Sequence, residues 1–345
     1  MKVIIASTIV PFVEGGGTFI VDWLEQMLRR YGHEVELLKL PFHSYYPEML
    51  DQMFALRLLD IAEHADRLIA IRTPSYLLRH PSKVLWFIHH HRGAYDLWGT
   101  KYGDIPNTPE GRRYREAFIR ADNVAFREAR SIFTNSKVVG DRLKRFNNLD
   151  SEVLYPPVKD PERYRTDSYG DYIFYPSRLT RHKRQHLAIV SLCYTKTPVK
   201  LVIAGQPEDE PYLHELQALV GGRGLADRVK IISRWITEEE KIHLFASCLA
   251  AIYVPFDEDS YGYASLEAHH AAKCVITTSD AGGTRELVVD GDNGFLTVPD
   301  PKAVADAMDR LYLDRALARR MGERGAQRLG ELGISWDRVV GKLLA

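Results

Sequence analysis

The hydrophobic and polar positions of this chain follow two alternating patterns. Short continuous apolar runs are typical of parallel strands covered on both faces, and stretches with an apolar residue every three or four positions are typical of amphipathic helices. Residues 3–10 and then residues 19–28 form the first such pair. The alternation reaches Leu154 and begins again at Tyr172. It predicts an α/β fold class with two doubly wound parallel-sheet domains.

A double proline, Pro156-Pro157, separates the two halves and is followed by a polar stretch. Prolines and polar residues together indicate a linker. We therefore expect a first domain of residues 1–158 and a second domain of residues 159–330, with a C-terminal helix at about residues 331–345 that packs back onto the first domain. A ligand is expected in a deep cleft between the domains, beside the carboxyl ends of the strands.

Several candidate residues follow strands of the first half. Gly15, Gly16 and Gly17 precede the first helix and predict a cradle for a phosphate or a sugar, although a flexible loop of small residues explains them equally well. Arg72 and His89 follow the third and fourth strands. Because ligands of open parallel sheets bind beside strand ends, we expect both side chains to line the cleft.

The triplet His89-His90-His91 also raises the question of a metal site. Adjacent side chains leave a strand in opposite directions, so three consecutive histidines do not readily converge on one ion. A histidine at a strand end is better suited to donate a hydrogen bond or carry a proton near neutral pH. Solvated rings at a strand end are the alternative, and no metal is predicted.

In residues 253–286, Asp259 and Glu267 lie on either side of Gly262, with a helix expected to begin one or two residues before the glycine. The first turn of a helix leaves backbone N–H groups unpaired and stabilises an anion. At about 1.5 Å per residue, two carboxylates eight positions apart can bind hydroxyls on either side of a phosphate. The alternative is a capped core helix with a solvated glutamate.

A basic pair, Arg178 and Lys183, lies in the loop after the first strand of the second half. Arginine offers a planar fork and lysine a point charge, and both can turn toward a pyrophosphate. An exposed basic loop is the alternative. Gly205 follows the next strand at the same edge of the sheet and is counted among the donor-binding residues.

The amino-acid composition of the chain argues against several classes of function. The chain has 345 residues, with 46 basic and 46 acidic ones, so its net charge gives no reason to expect nucleic acid as a partner. Cys193, Cys248 and Cys274 lie in apolar segments without C-x-x-C spacing, and we expect three small core residues rather than disulfide or zinc ligands.

Targeting and membrane signals are weak. No apolar run reaches the roughly 18 residues of a spanning helix, and the N-terminus lacks the cleavage pattern of a signal peptide. We expect a cytoplasmic protein. An arginine-rich helix at residues 109–130 and an aromatic segment at residues 41–47 leave open a peripheral contact with the inner face of the membrane.

Three segments together with the R-x4-K spacing carry a resemblance to a known family. They read P-F-D-E-D-S-Y-G-Y-A-S-L-E-A, C-V-I-T-T-S-D-A-G-G-T-R-E-L-V and G-D-N-G-F-L. The chain resembles the retaining glycosyltransferases of family 4 over essentially its whole length, with higher specificity in the second domain. The resemblance implies the GT-B fold, in which two Rossmann-like domains face a deep cleft.

The resemblance also implies roles for individual residues. Asp259 falls where the family usually has a glutamate facing the donor sugar, and Glu267 falls where a second glutamate binds the nucleotide ribose. Arg178 and Lys183 match the pyrophosphate-binding pair. The remaining matches are a donor-covering loop at Gly16 and Gly17 and a histidine beside the sugar at His89.

The implied reaction is transfer of a hexosyl group from a UDP- or GDP-sugar to a hydroxyl of a glycan or lipid-linked acceptor, with retention, in cell-surface polysaccharide synthesis. Arg178, Lys183 and the backbone of Gly262, Tyr263 and Ala264 would stabilise the departing diphosphate without a metal or a cofactor. A sugar-nucleotide epimerase or a phosphorylase of the same fold is the first alternative. A non-enzymatic two-lobed sugar-binding protein is the second.

Overall fold

The chain divides into two units, each built on one six-stranded sheet. The computed structural model describes residues 1–9, 16–100 and 103–345. One unit contains Met1–Pro156 together with Ser335–Ala345, and the other is Pro157–Ile334. Every strand pair in both sheets is parallel. The predicted α/β fold class is confirmed.

In the described part of the first unit, six strands and four α-helices precede the double proline. The strands are β1 (Lys2–Ile9), β2 (Glu34–Pro41), β3 (Arg67–Ala70), β4 (Lys83–Phe87), β5 (Ser131–Thr134) and β6 (Glu152–Val153), in the sheet order β2-β1-β3-β4-β5-β6. The helices are α1 (Gly16–Arg30), α2 (Met49–Leu58), α3 (Pro109–Arg127) and α4 (Lys137–Asn147). Strands β3 and β4 are buried along their whole length, as expected for a sheet with helices on both faces.

The second unit repeats the alternation. Its strands are β7 (Tyr172–Pro176), β8 (Lys200–Ala204), β9 (Val229–Ile232), β10 (Ala250–Ile252), β11 (Val275–Thr278) and β12 (Gly294–Thr297), in the order β12-β11-β10-β7-β8-β9. Its helices are α5 (Gln185–Ser191), α6 (Glu210–Gly222), α7 (Glu238–Ser247), α8 (Tyr263–His270), α9 (Thr284–Leu287), α10 (Pro301–Leu313) and α11 (Arg315–Glu331).

The last helix, α12 (Trp336–Leu344), belongs to the first unit although it follows the second in sequence. The Ser335 hydroxyl caps it by accepting a hydrogen bond from the Arg338 backbone N–H at 3.3 Å. Its apolar face joins the core of the first sheet, where the rings of Trp336 and Trp86 meet edge to face with centroids 6.5 Å apart.

Several local expectations from the sequence were wrong. Helix α1 begins at Gly16, so Gly16 and Gly17 form its first turn rather than a preceding loop, and Gly15 lies outside the described residues. Cys193 is exposed because it lies in the short 3-10 turn where the chain leaves the core after α5. Cys248 and Cys274 are buried as expected. Among the described residues, no helix combines the length and the apolar composition that crossing a membrane requires.

Candidate functional site

The strand order of the second sheet reverses between β7 and β10. These two strands are neighbours in the sheet, but β8 and β9 continue to one side and β11 and β12 to the other. In doubly wound sheets, ligands usually bind at such a reversal, beside the carboxyl ends of the two strands and the loops that follow them. The basic pair lies in the first loop and the acidic run in the second.

Lys183 links the two loops. It ends a 3-10 turn, Arg181–Lys183, that follows β7. Its Nζ donates to the Tyr253 hydroxyl at 2.6 Å and to the Glu258 carboxylate. The Tyr253 hydroxyl also donates to Glu258 at 3.2 Å. Two elements that are 70 or more residues apart in sequence thus share one hydrogen-bonded ion pair at the switch point.

The pKa values in this cluster reflect burial and the lysine charge. Burial alone would raise the pKa of Glu258, but the charge and hydrogen bond of Lys183 lower it overall. Burial and the Glu258 charge raise the pKa of Tyr253 well above its usual value, whereas the charge of Arg178 opposes this increase. Glu258 is therefore an anion and Tyr253 a neutral hydroxyl near neutral pH.

Arg184, next to Lys183, fixes the geometry of both loops. Its guanidinium donates to both carboxylate oxygens of Asp280 at 2.8 Å and to the carbonyls of Val254 and Pro255 at 2.8 and 2.7 Å. Arg184 has a left-handed backbone, with φ of 56°, which is uncommon for a non-glycine residue. The bidentate ion pair and the carbonyl contacts offset this strain and attach the loop after β7 to the ends of β10 and β11.

The glycine turn Gly282-Gly283 supports the acidic loop through direct backbone contact. A Cβ on Gly282 would lie 2.2 Å from the Glu258 carbonyl oxygen, and the φ of Gly282 is +64°. The backbone N–H of Gly283 donates to the same carbonyl at 2.8 Å. Only glycine fits at position 282, because both the space and the dihedral angle exclude a side chain.

Helix α8 begins at Tyr263, later than the sequence suggested. Gly262 has φ of 72° and ψ of 130°, which a right-handed helix cannot accommodate. The ring of Tyr253 also occupies the space beside it, since a Cβ on Gly262 would lie 2.2 Å from the Tyr253 Cε1. The close approach at Gly262 is therefore to an aromatic ring, and the approach of an anion stays a prediction.

Glu267 is buried one turn into α8 and is paired with a lysine from α7. Its Oε1 accepts a hydrogen bond from Lys241 Nζ at 2.6 Å, and the same ammonium donates to Glu238 at 2.9 Å. The Tyr164 hydroxyl donates to Glu238 at 2.6 Å. Burial raises the pKa of Glu267, although the charge of Lys241 offsets part of the effect. The alternative of a solvated glutamate is excluded.

Comparison with known proteins identifies the second unit. Residues 159–328 match the family described as Glycosyl transferases group 1. The second unit is a group 1 glycosyl transferase domain. The predicted relation to the family 4 glycosyltransferases and the predicted GT-B fold are confirmed.

Individual relatives and structures agree with this assignment. The alpha-1,3/1,6-mannosyltransferase ALG2 of Dictyostelium discoideum is 36% identical over 141 residues, which cover 39% of this chain and 33% of that protein. Human ALG2 is 25% identical over 74% of this chain and 65% of its own length. The matches therefore span about a third to two thirds of these relatives. The structure of HepE from Anabaena in complex with UDP and glucose superimposes with a TM-score of 0.70 at 19% identity, covering 99% of both chains.

Within the glycosyl transferase domain, the sequence-predicted residues fall into two groups. Lys183 and the Asp259 loop meet at the switch point, whereas Glu267 lies in the helix cluster with Lys241.

Arg178 is an exposed residue whose guanidinium lies 3.8 Å from Glu208. A Cβ on Gly205 would lie 1.9 Å from the Ser177 carbonyl oxygen, so this glycine allows the backbone leading to Arg178 to approach β8. Tyr263 and Ala264 form the first turn of α8.

Four residues of the glycosyl transferase domain were not predicted from the sequence: Tyr253, Glu258, Arg184 and Lys241. Glu258 carried a signal, since it lies in the Asp257-Glu258-Asp259 run, but the spacing to Glu267 selected its neighbour. Arg184 carried a weak one as the next basic residue after Lys183. Lys241 carried none, because a lysine three residues after a glutamate in a helix is typical of a solvated pair.

The first unit places its predicted residues at the ends of β1, β3 and β4. His89 Nδ1 donates to the His90 carbonyl at 2.9 Å, and the Thr73 hydroxyl donates to the His89 carbonyl at 3.0 Å. Arg72 donates to the Thr8 carbonyl at 3.0 Å, and its Nε lies 3.6 Å from the position of a Cβ on Gly17. Arg72, His89 and the first turn of α1 thus adjoin one edge of the first sheet.

The other two histidines of the triplet point to different partners. His90 Nε2 donates to the Asn147 side chain at 2.8 Å, and His91 Nε2 lies 2.9 Å from Asp104. Burial lowers the pKa of His90 to about 4, so this ring is neutral. Within residues 1–9, 16–100 and 103–345, no three histidine, cysteine, aspartate or glutamate side chains are grouped as metal ligands would be.

Proposed function

We propose that the chain transfers a hexosyl group from a UDP- or GDP-sugar to a hydroxyl of a glycan or lipid-linked acceptor, with retention at the anomeric carbon. The observation that carries the proposal is the Lys183, Tyr253 and Glu258 cluster at the switch point of a group 1 glycosyl transferase domain. An ammonium beside the start of a helix suits a diphosphate. The names of the relatives support the proposal, since ALG2 is a mannosyltransferase and HepE was solved with UDP and glucose.

In the proposed reaction, the bond between the anomeric carbon and the diphosphate oxygen breaks while the bond to the acceptor oxygen forms. The acceptor proton passes to the departing diphosphate. Negative charge grows on the leaving oxygen, and Lys183, Arg178 and the first backbone N–H groups of α8 would stabilise it. An ammonium has three donors. Tyr253 and Glu258 use two of those of Lys183, and the third can be directed at the diphosphate.

The remaining predicted residues act on the donor and the sugar in this proposal. Asp259 binds a sugar hydroxyl and Glu267 binds the ribose. Gly205, Gly262, Tyr263 and Ala264 complete the donor site of the second unit. The roles of His89, beside the sugar, and of Gly16 and Gly17, in donor binding, stay predictions. No metal ion or cofactor takes part. A cytoplasmic location and a peripheral membrane contact, where a lipid-linked acceptor would be met, also stay predictions.

The test is release of nucleoside diphosphate from UDP-glucose and GDP-mannose, with and without a panel of glycan and lipid-linked acceptors. We expect release that depends on acceptor, persists in EDTA and gives a product with the anomeric configuration of the donor by NMR. The double variant Arg178→Ala, Lys183→Ala should lower the rate by at least about a hundredfold, because electrostatic stabilisation of a leaving group contributes about 2.7–4 kcal/mol.

Three outcomes would contradict the proposal. Epimerised sugar nucleotide without acceptor would indicate an epimerase, and sugar 1-phosphate formed from a glycan and inorganic phosphate would indicate a phosphorylase. Full activity of the double variant would remove Arg178 and Lys183 from the mechanism. As a matched control, Lys200→Ala removes an exposed lysine of the same domain whose partner is Asp171, and we expect it to leave the rate unchanged.

A further inference from the structure

The buried ion pair between Lys241 and Glu267 joins helices α7 and α8 beneath the start of α8. We propose that Lys241 is a positioning residue that holds the Glu267 carboxylate as an anion, oriented to accept hydrogen bonds from the ribose hydroxyls of the donor nucleotide. The inference rests on the proposed function, which gives Glu267 the ribose. It adds a residue from a different helix that does not itself touch the donor.

The geometry of the pair is that of a fixed contact. Lys241 Nζ lies 2.6 Å from Glu267 Oε1, and only 4% of the Glu267 side chain is exposed. The ammonium lies 2.9 Å from Glu238 on its other side. A buried carboxylate without a partner takes up a proton, because transferring a charge out of water is costly. The ammonium therefore favours the ionised form of Glu267 and opposes the effect of burial on this carboxylate.

Lys241 is the cation in direct contact with Glu267, and it stabilises the ionised carboxylate against the other charges nearby. Glu238 raises the pKa of Glu267 through its negative charge, and the nearby Tyr164 hydroxyl lowers it. Tyr263 lies one turn earlier on the same helix, and its own pKa is raised by burial and by the Glu267 charge. Two further groups face the cluster from its edge. Arg163 pairs with Glu239 at 2.8 Å, and the His270 ring lies 6.1 Å from that of Tyr164.

Stability alone does not account for a lysine at this place. Replacing a buried ion pair by apolar side chains of similar volume is often neutral or stabilising, since both charges must be desolvated. Packing α7 against α8 therefore does not require Lys241 and Glu267. A carboxylate that must accept hydrogen bonds from a ligand does require a partner that keeps it ionised. Both carboxylate oxygens retain lone pairs for the ribose after the Lys241 bond is made.

The experiment measures how strongly the full chain prefers UDP to 2′,3′-dideoxy-UDP, and GDP to 2′,3′-dideoxy-GDP, by calorimetric titration between pH 6 and pH 9. The ratio of the two affinities isolates the ribose hydroxyls and cancels the ionisation of the phosphates. Lys241→Gln keeps a hydrogen-bond donor but removes the charge. We expect it to reduce the ratio about tenfold at pH 7, with recovery toward the wild-type value as the pH rises and Glu267 ionises.

Two further variants separate positioning from a purely structural role. Glu238→Gln leaves Lys241 with Glu267 as its carboxylate partner, so the ratio should stay at or above the wild-type value at every pH. Damage to the cluster alone would lower the ratio in both variants alike and without a pH dependence. In a Glu267→Gln background, Lys241→Gln should have no further effect on the ratio, because no carboxylate is left to hold.

The outcomes distinguish this inference from the proposed function. If the wild-type chain binds neither UDP nor GDP, or binds each no better than its dideoxy analogue, Glu267 does not bind the ribose and both fail. If the wild-type ratio is large and Lys241→Gln leaves it unchanged, the inference alone is overturned. If Lys241→Gln does not fold, Glu238→Gln still decides, because a reduced ratio in that variant contradicts the inference.

Discussion

Two lysine–glutamate pairs of the second unit use the same residue types in different settings. Lys183 and Glu258 join two loops at the carboxyl ends of β7 and β10, whereas Lys241 and Glu267 join two helices. The side chain of Glu258 is 21% exposed and that of Glu267 is 4% exposed. The carboxylate of the first pair is therefore more open to solvent than that of the second, which is nearly buried.

Their carboxylates respond in opposite directions. Burial would raise both pKa values, yet the charge and hydrogen bond of Lys183 lower the pKa of Glu258 overall, whereas burial outweighs Lys241 and the pKa of Glu267 is raised. An additional negative charge from Glu238 contributes to the second result. Pairing with a lysine therefore does not by itself fix the ionisation of a glutamate, because the depth of burial and the other charges nearby decide it.

The largest expected effect is on the free energy of unfolding, and it should differ between substitutions of Lys241 and Lys183. Lys241→Met leaves Glu267 buried without its partner, and we expect a loss of about 4 kcal/mol in the free energy of unfolding. Lys183→Met leaves Glu258 more exposed and still bonded to Tyr253, so the loss should be about 2 kcal/mol. Urea denaturation at pH 7 measures both.

The control for the two lysines is Lys200→Met, which breaks an ion pair with Asp171 in which both side chains are about half exposed. We expect a change below about 1 kcal/mol, as for other surface pairs. Equal losses from Lys241→Met and Lys183→Met would mean that exposure does not distinguish the two pairs.

The next largest effect is expected from a substitution that disrupts the Lys183–Glu258 pair but leaves the Lys241–Glu267 pair intact. In Gly282→Ala the new methyl group meets the Glu258 carbonyl, so the acidic loop must move away from Lys183, and we expect a loss of about 3 kcal/mol from overpacking and backbone strain. UDP binding should weaken, but the preference for UDP over its dideoxy analogue should remain. Gly291→Ala is the matched control. Its φ is +74° with nothing within 4 Å of a Cβ, so only the backbone cost of about 1 kcal/mol is expected.

The sequence predicted the fold well, because strand and helix periodicity and the punctuating glycines and prolines are local properties. It also pointed to Lys183 and Glu267 through spacing. It did not predict their partners. Glu258 lies 75 residues after Lys183 and meets it only when β7 and β10 become neighbours in the sheet. Lys241 meets Glu267 only when two helices pack. Nor did local pattern show that Tyr253 would occupy the space beside Gly262 and delay the start of α8.

The smallest expected effect is a pH dependence of stability that differs between Glu258 and Glu267. The pKa of Glu258 is lowered from 4.5 in the folded state, so its contribution to stability is present above pH 4.5 and is lost as the pH falls through the folded value. The pKa of Glu267 is raised from 4.5, so its contribution is present below pH 4.5 and is lost as the pH rises through the folded value. Because glutamine resembles a protonated glutamate, the thermal unfolding midpoint of each glutamine variant should approach that of wild type on acidification. As the pH rises, wild type should gain stability relative to Glu258→Gln up to pH 4.5, and it should lose stability relative to Glu267→Gln above pH 4.5. A difference from wild type that changes with the same sign in both variants as the pH rises would show that the two carboxylates share one environment, contrary to the difference in their burial.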